Sequence, residues 1–327
     1  MTAFLELRNV TKVFGGGLFR KQRTVALDNI SLLIDTDPPT IKAVAGESGS
    51  GKSTLGLMLM GFVAPTAGQV LYRGQDLRRL SRSEYRRFRR EVQAIFQDPF
   101  SVYNPFYKID HVLATPIAKF KLAESQAEAR RLMAEALTNV GLRPEETLGQ
   151  YPHQLSGGQR QRVMVARALL TKPRLIIADE PVSMVDASLR ATILESLRHL
   201  HEELGISFLY ITHDLTTAHH VGRDIVILYR GSVAEAGSVD RVIKSPQHPY
   251  TQLLVDSIPW PDLTRRWERT PGEKVQRATV SQATAGCKFG DRCPQVMAVC
   301  RQAPPPLFPL DDGRKVSCYL HATEERR

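Results

Sequence analysis

Apolar and polar residues alternate through FLELRNVTKVF, from Phe4 to Phe14, with the period of a half-buried strand. Glycines and basic residues from Gly15 to Thr24 break the pattern as a loop, and VALDNISLLI resumes it. Pro38 and Pro39 mark a turn, IKAVAG reads as a buried strand, and a helix opens at about Gly51. Between roughly Pro99 and Pro152 the period becomes helical. Ser125 and Glu128 form an S-x-x-E capping box. Ala129, Leu132, Met133, Ala136, Leu137 and Val140 then recur on one face, and Gly141 ends the run. This predicts a helical insertion, about 99–165, in an α/β core. RLIIAD predicts a strand, Ala187 to Leu204 a helix, SFLYIT a strand and DIVILYRGSVAEAG a hairpin. Strands alternating with helices predict a mostly parallel sheet. Past Ser245, SPQHPYTQLLVDSIPWPDL is punctuated by prolines around a short helix, and WERTPGEKVQRATVSQATAG reads as irregular. The change of character places a boundary near 245–260, dividing the chain into 1–245 and 246–327.

Composition narrows this picture without redirecting it. At 327 residues there is room for one large domain or two moderate ones, and 42% hydrophobic with 24% charged residues is that of a soluble globular chain. The longest apolar run, Leu55 to Ala64, is about half a membrane span. MTAFLELRNV has neither a basic nor an apolar leader region, which predicts the cytoplasm. The net charge of +10 suits nucleic acid, anionic lipid or a phosphate ligand. Much of the excess lies in Arg78 to Arg90, which reads mainly as a solvated helical face. No nucleic-acid module accompanies it, so nucleic acid is not expected as a partner.

Three motifs carry chemistry. Gly46-x-x-x-x-Gly51-Lys52-Ser53 matches G-x-x-x-x-G-K-[ST], with a strand before it and a helix after. Glycines let successive N–H groups turn inward onto phosphate oxygens, and the helix N-terminus adds its positive end. Ser48, Gly49, Ser50 and Thr54 complete the loop. Lys52 is the point charge for the β- and γ-phosphates, and Ser53 offers a hydroxyl to Mg²⁺. The pattern should arise by accident in roughly one chain of this size in a hundred, and its strand–helix context lowers that further. Second, the strand RLIIAD ends in Asp179 and Glu180. Asp179 suits the Mg²⁺ shell, and Glu180 is placed as general base for an attacking water. Taken alone, two acids after a strand are more often a solvated end; beside a phosphate loop they are not. Third, in LSGGQRQRVMVARAL, Ser156, Gly157, Gly158 and Gln159 open another helix. One nucleotide does not need two such helix starts from one subunit, whereas two subunits facing head to tail would use one from each.

The order of Gly46–Thr54, Gln97, Leu155–Gln159, Asp179–Glu180, Asp186 and His213 resembles the ATP-binding subunits of ABC transporters over about residues 4–250. The resemblance implies a P-loop NTPase α/β fold of the ABC ATPase type: a mostly parallel sheet, an antiparallel β subdomain and a helical subdomain. It implies that Phe14 stacks on adenine, where the family usually has Tyr. Gln97 would link the Mg²⁺ and water region to the membrane partner. Ser156 and Gly158 would contact the γ-phosphate held by the opposite subunit, Asp186 would close the SMVD segment, and His213 would contact the γ-phosphate. Hydrolysis of ATP would then power transport.

QDPFSVYNP, HPYTQLLVDSIP and AGCKFGDRCPQVMAVCRQAPPPL…VSCYL resemble the dipeptide/oligopeptide (peptide/nickel-type) importer ATPases. That resemblance implies a second ATPase subunit (a heterodimer, with a homodimer as the other arrangement), two transmembrane permeases, an extracytoplasmic substrate-binding protein, and a peripheral position on the cytoplasmic face of the membrane. All four cysteines, Cys287, Cys293, Cys300 and Cys318, lie in the tail. A short proline-rich segment gains from a metal staple, and disulfides are disfavoured in a reducing cytosol. Zinc in a Cys₄ site usually shows C-x₂-C knuckles, which are absent here. Related importer subunits carry a [4Fe–4S] cluster, which the resemblance makes the expected group, with zinc as the alternative. Two other readings remain for the whole: a soluble ABC ATPase of translation or DNA repair, and a regulatory ATPase with an Fe–S sensor tail. The first usually has two cassettes or a long coiled-coil insertion, and this chain has neither.

Overall fold

Strands β1 (Leu5–Phe14) and β2 (Thr24–Ile34) pair antiparallel, their apolar residues turned to one side. The structure is a computed structural model that describes residues 3–15, 23–99, 101, 103–258 and 285–322. Residues 16–22 of the glycine-rich loop, and the segment read as irregular up to residue 284, lie outside the described residues. β3 (Ile41–Ala45) is followed by α1 (Lys52–Leu59), then by β4 (Ala67–Tyr72) and β5 (Gln75–Asp76). The apolar run from Leu55 does not continue as helix past Leu59, because Gly61 turns the backbone at φ 74°. β1, β2, β4 and β5 form a four-stranded antiparallel sheet, the expected β subdomain.

The arginine-rich stretch becomes α2 (Arg82–Glu91), with a Ser81–Glu84 capping box and only Phe88 buried. After β6 (Val92–Ile95) come the helices of the insertion: α3 (Ile109–Phe120), α4 (Gln126–Thr138), α5 (Pro144–Thr147) and α6 (Gly157–Leu169). Ser125 caps α4 as its spacing predicts, but the reciprocal half differs. The Glu128 carboxylate accepts from the Glu124 N–H at 2.9 Å. Leu113, Ile117, Leu137, Val163 and Met164 of the insertion are buried in one cluster with Ile176 and Phe208 of the core.

The core resumes with β7 (Leu175–Asp179), α7 (Ala187–Leu204), β8 (Ser207–Thr212), α8 (Leu215–Val221), β9 (Asp224–Tyr229) and β10 (Ser232–Ser238). α9 (Val239–Lys244) and α10 (Pro249–Asp256) follow, and then α11 (Ala298–Gln302), β11 (Phe308–Pro309) and β12 (Lys315–Val316). The main sheet has the order β11-β12-β10-β9-β3-β8-β7-β6. β9, β3, β8, β7 and β6 are mutually parallel. β10, β12 and β11 continue the sheet antiparallel. The last part of the chain therefore extends the core sheet. Arg314, buried beside β12, lies 3.5 Å from the buried Glu235 of β10. Phe289 and Tyr250 are buried against Tyr229 of β9. Burying one such ring stabilises by about 2–3 kcal/mol.

Parallel register decides where the chemistry gathers. Ala45 stands beside Thr212, Asp179 beside Ile211 and Ile95 beside Ala178. The loops that leave the carboxyl ends of β3, β6, β7 and β8 therefore open on one edge of the sheet, where ligands of open α/β sheets sit.

Candidate nucleotide site

The loop after β3 has a shape that only glycine supports. A Cβ on Gly46, at φ 150°, would lie 2.2 Å from the Leu228 carbonyl oxygen, and one on Gly51, at φ 103°, 2.4 Å from that of Ala26. Lys52 starts α1 and is only 5% exposed. Its ammonium donates to the carbonyls of Gly46 at 2.7 Å and Glu47 at 2.9 Å. Burial pulls its pKa down, against the pull of the Glu180, Asp179 and Glu47 carboxylates.

Opposite stands Asp179 at the end of β7. Burial pushes its pKa up, while a hydrogen bond from Ser53 and the charge of Lys52 pull it down. Its Oδ1 is buried without a hydrogen-bond partner, and so is Ser50 Oγ. Buried orphan groups on both walls of a glycine cradle are the signature of a site shaped for something absent. A triphosphate and Mg²⁺ fit it: the loop's N–H groups, Lys52 and the helix start for the anion, Ser53 and Asp179 for the cation.

Next to Asp179, the Glu180 backbone is left-handed at φ 47°. A non-glycine residue held there stores strain, and such residues cluster at functional sites. Gln97 Nε2 donates to Glu180 Oε2 at 2.8 Å. His213 Nδ1 lies 2.9 Å from Oε1. The carboxylate is 13% exposed and the imidazole 55%. Three residues far apart in sequence thus meet at one carboxylate, which can accept a proton from a water between loop and glutamate.

The remaining expected residues stand elsewhere. Phe14 ends β1 with a 43% exposed ring, and Lys12 Nζ lies 4.9 Å from its centre. Asp186 caps α7 through its backbone, its carbonyl accepting from Leu189 and Arg190. Ser156 opens α6 with a reciprocal box: its hydroxyl accepts the Gln159 N–H at 3.2 Å, and Gln159 Oε1 accepts the Ser156 N–H at 2.8 Å. Gly158 lets α6 approach α7, since a Cβ would lie 2.9 Å from Leu189 Cδ1.

The ABC transporter family model matches residues 27–183, and the model of the oligopeptide/dipeptide transporter C-terminal region matches 234–300. The chain is 38% identical over 324 residues to "Probable peptide ABC transporter ATP-binding protein y4tS" of Sinorhizobium fredii, covering 98% of this chain and 90% of that one. The chain belongs to the ABC transporter ATP-binding proteins. It is also 35% identical over 327 residues to "Oligopeptide transport ATP-binding protein AppF" of Bacillus subtilis, with 97% of each covered. Among solved structures, the ATP-binding cassette MJ0796, dimeric and bound to ADP and Pi, superposes with a TM-score of 0.64 at 32% identity, covering 72% of this chain and 98% of that one. As an ABC ATPase, the protein couples ATP hydrolysis to transport. No helix among the described residues is long and apolar enough to cross a membrane.

The cysteines of this ABC ATPase leave one expectation without structural support. Cys300 and Cys318 are buried, Cys287 and Cys293 half-buried, and none is in a disulfide. Burial first, and then the other three thiols, push the Cys318 thiol up to about 11. Cys287 is raised by burial and then by Cys300 and Cys293. The Cys287 N–H donates to the Cys300 carbonyl at 2.7 Å. Yet among the described residues no three His, Cys, Asp or Glu side chains are placed to hold a metal ion. The structure supports neither the expected iron–sulfur cluster nor zinc.

One residue of the site stands outside the motif's defining positions. Glu47 occupies an unspecified position of the glycine loop, yet its N–H and its carboxylate are both held by residues of the C-terminal region. A charged residue within an otherwise small-residue loop was the one signal available.

Proposed function

We propose that the chain is one ATPase subunit of a peptide-type importer, peripheral on the cytoplasmic face of the membrane. It would work with a second, similar ATPase, two permeases and an extracytoplasmic binding protein. The reading rests on the site, on the match of the C-terminal region to oligopeptide/dipeptide transporters and on relatives named for peptide transport. The observation that carries it is the convergence of Gln97 and His213 on Glu180 beside the phosphate loop.

In this reading Gly46, Ser48, Gly49, Ser50, Gly51, Lys52, Ser53 and Thr54 cradle the phosphates, and the Phe14 ring stacks on the adenine. Ser53, Asp179 and Gln97 would hold Mg²⁺, which when bound would neutralise charge on the phosphates. Ser156, Gly157, Gly158 and Gln159 of the facing cassette close on the γ-phosphate from the other side, and Asp186 shapes that interface. Glu180 takes a proton from the attacking water as its oxygen bonds to the γ-phosphorus. The bond to the bridging oxygen breaks, and ADP leaves with the electron pair. His213 and Gln97 hold the carboxylate until the nucleotide draws them off. The dimeric state of the similar cassette MJ0796 supports the composite arrangement.

The four thiols are also proposed to hold a [4Fe–4S] cluster. The support is four cysteines gathered in a C-terminal region that matches the oligopeptide/dipeptide transporters, and not a metal-holding geometry among the described residues. Anaerobically purified protein should carry iron and sulfide in equal amounts; one zinc per chain would reverse the choice.

Glu180→Gln tests the main reading. ATPase turnover should fall about a thousandfold while ATP still binds, and uptake of peptide by cells with the intact operon should stop. Unimpaired uptake would contradict it.

A further inference from the structure

The phosphate loop is held from outside by the cysteine-bearing tail. Between Cys287 and Cys293, Arg292 donates through both terminal nitrogens to the two Glu47 carboxylate oxygens, each at 3.0 Å. Such a two-pronged pair fixes direction as well as distance. The Glu47 N–H donates to the Tyr250 hydroxyl of α10 at 2.8 Å. The Glu47 carbonyl accepts from Lys52 Nζ at 2.9 Å and from the Ser50 N–H at 3.1 Å. One residue of the loop is therefore tied to the tail on one side and to the phosphate-binding lysine on the other.

A second tie reaches the same loop. The Ser50 carbonyl accepts the Gly231 N–H at 2.8 Å, in the turn between β9 and β10. Lys288 donates to the Arg230 carbonyl at 2.9 Å and the Ser232 hydroxyl at 2.6 Å on either side of Gly231, and lies 2.8 Å from Asp28. Both ties spring from the Cys287–Cys293 segment. Its Phe289 is packed with Tyr229 and Tyr250 in one aromatic cluster, so the anchor under the ties is rigid.

We propose that the C-terminal region is a brace for nucleotide binding: Arg292 and Tyr250, acting through Glu47, are positioning residues that hold the phosphate loop in its binding shape. Neither needs to touch the nucleotide. A loop already held in the bound shape loses less freedom when it binds, so the brace adds affinity with no new contact to ATP. The inference rests on ATP binding at the Gly46–Thr54 loop.

The test is the dissociation constant for Mg-ATP, measured on the full chain in the Glu180→Gln background, with melting temperature read in parallel. Arg292→Gln and Glu47→Gln should each weaken binding about fivefold. The double variant should be no weaker than either single one, because the two share one interaction. Arg292→Lys, with one prong, should fall between. In the hydrolysing chain Arg292→Gln should raise KM with kcat at saturation held within about twofold. Should Arg292→Gln unfold the tail, Tyr250→Phe serves instead: it keeps the ring and removes only the hydroxyl, and should cost about twofold to threefold. Wild-type affinity in both Arg292→Gln and Tyr250→Phe, or losses that multiply in the double variant, would overturn the brace. Lys52→Met separates the two levels. If it abolishes binding while Arg292→Gln does not change it, only the brace fails; if it too binds normally, the nucleotide site itself is misassigned.

Discussion

Two helix starts in this molecule are proposed to meet phosphate, and they differ in what they lack. At the start of α1, Lys52 is buried and held on two carbonyls, with Ser50 Oγ and Asp179 Oδ1 left unpaired. At the start of α6, Ser156 and Gln159 satisfy each other, and the serine is exposed. The first is an incomplete structure that a ligand would complete. The second is complete by itself and would add to a site formed elsewhere. In the proposed composite site, the difference teaches that one chain would hold the costly half and offer the cheap half to its neighbour.

The comparison breaks hardest at Lys52. Lys52→Met should weaken Mg-ATP binding at least a hundredfold, since a buried charge-assisted contact to phosphate has no substitute. Equilibrium binding with a fluorescent ATP analogue reads this.

Asp179 sharpens the contrast through pH. Its folded pKa is raised by burial, so the native state holds a proton more tightly than the unfolded chain. Its contribution to stability is present at low pH and is lost as pH rises through the raised value. Asp179→Asn should therefore make the nucleotide-free protein more stable at neutral pH, by about 1–2 kcal/mol, and flatten that fall. The same variant should lose the stabilisation that Mg-ATP gives the wild type. Thermal melts with and without Mg-ATP, across pH, check both signs.

At the other helix, Ser156→Ala removes a cap and should lower stability by about 1 kcal/mol. Its affinity for ATP as a single subunit should stay within about twofold of wild type, while ATP-driven dimerisation weakens. Smallest is Gly158→Ala. The nearest obstacle to its Cβ is the far end of the Leu189 side chain, which can move, so stability should change by less than about 1 kcal/mol.

Much of this was legible along the chain because it is local. α7 spans Ala187–Leu204 and β8 Ser207–Thr212, as the apolar pattern predicts. The phosphate loop was legible because its glycines and lysine must be neighbours in sequence. What escaped is non-local. β12 joins β10 across the sequence, and Arg292 reaches Glu47 over 245 residues, for which no periodicity prepares the reader. The end of α1 was also hidden, since the apolar run continues past the glycine that stops the helix. The Glu128 carboxylate found a neighbouring N–H instead of the predicted one, a choice between two donors one residue apart.

The central claim is that a triphosphate is closed between the cradle of one cassette and the Ser156 helix of another. Sedimentation of the Glu180→Gln protein with Mg-ATP, alone and mixed with the second ATPase proposed above, measures it most directly. An ATP-dependent dimer should form in at least one of these samples, and Ser156→Arg should abolish it while each subunit still binds nucleotide. A protein that stays monomeric in both while saturated with ATP, or a dimer indifferent to Ser156→Arg, would contradict the account.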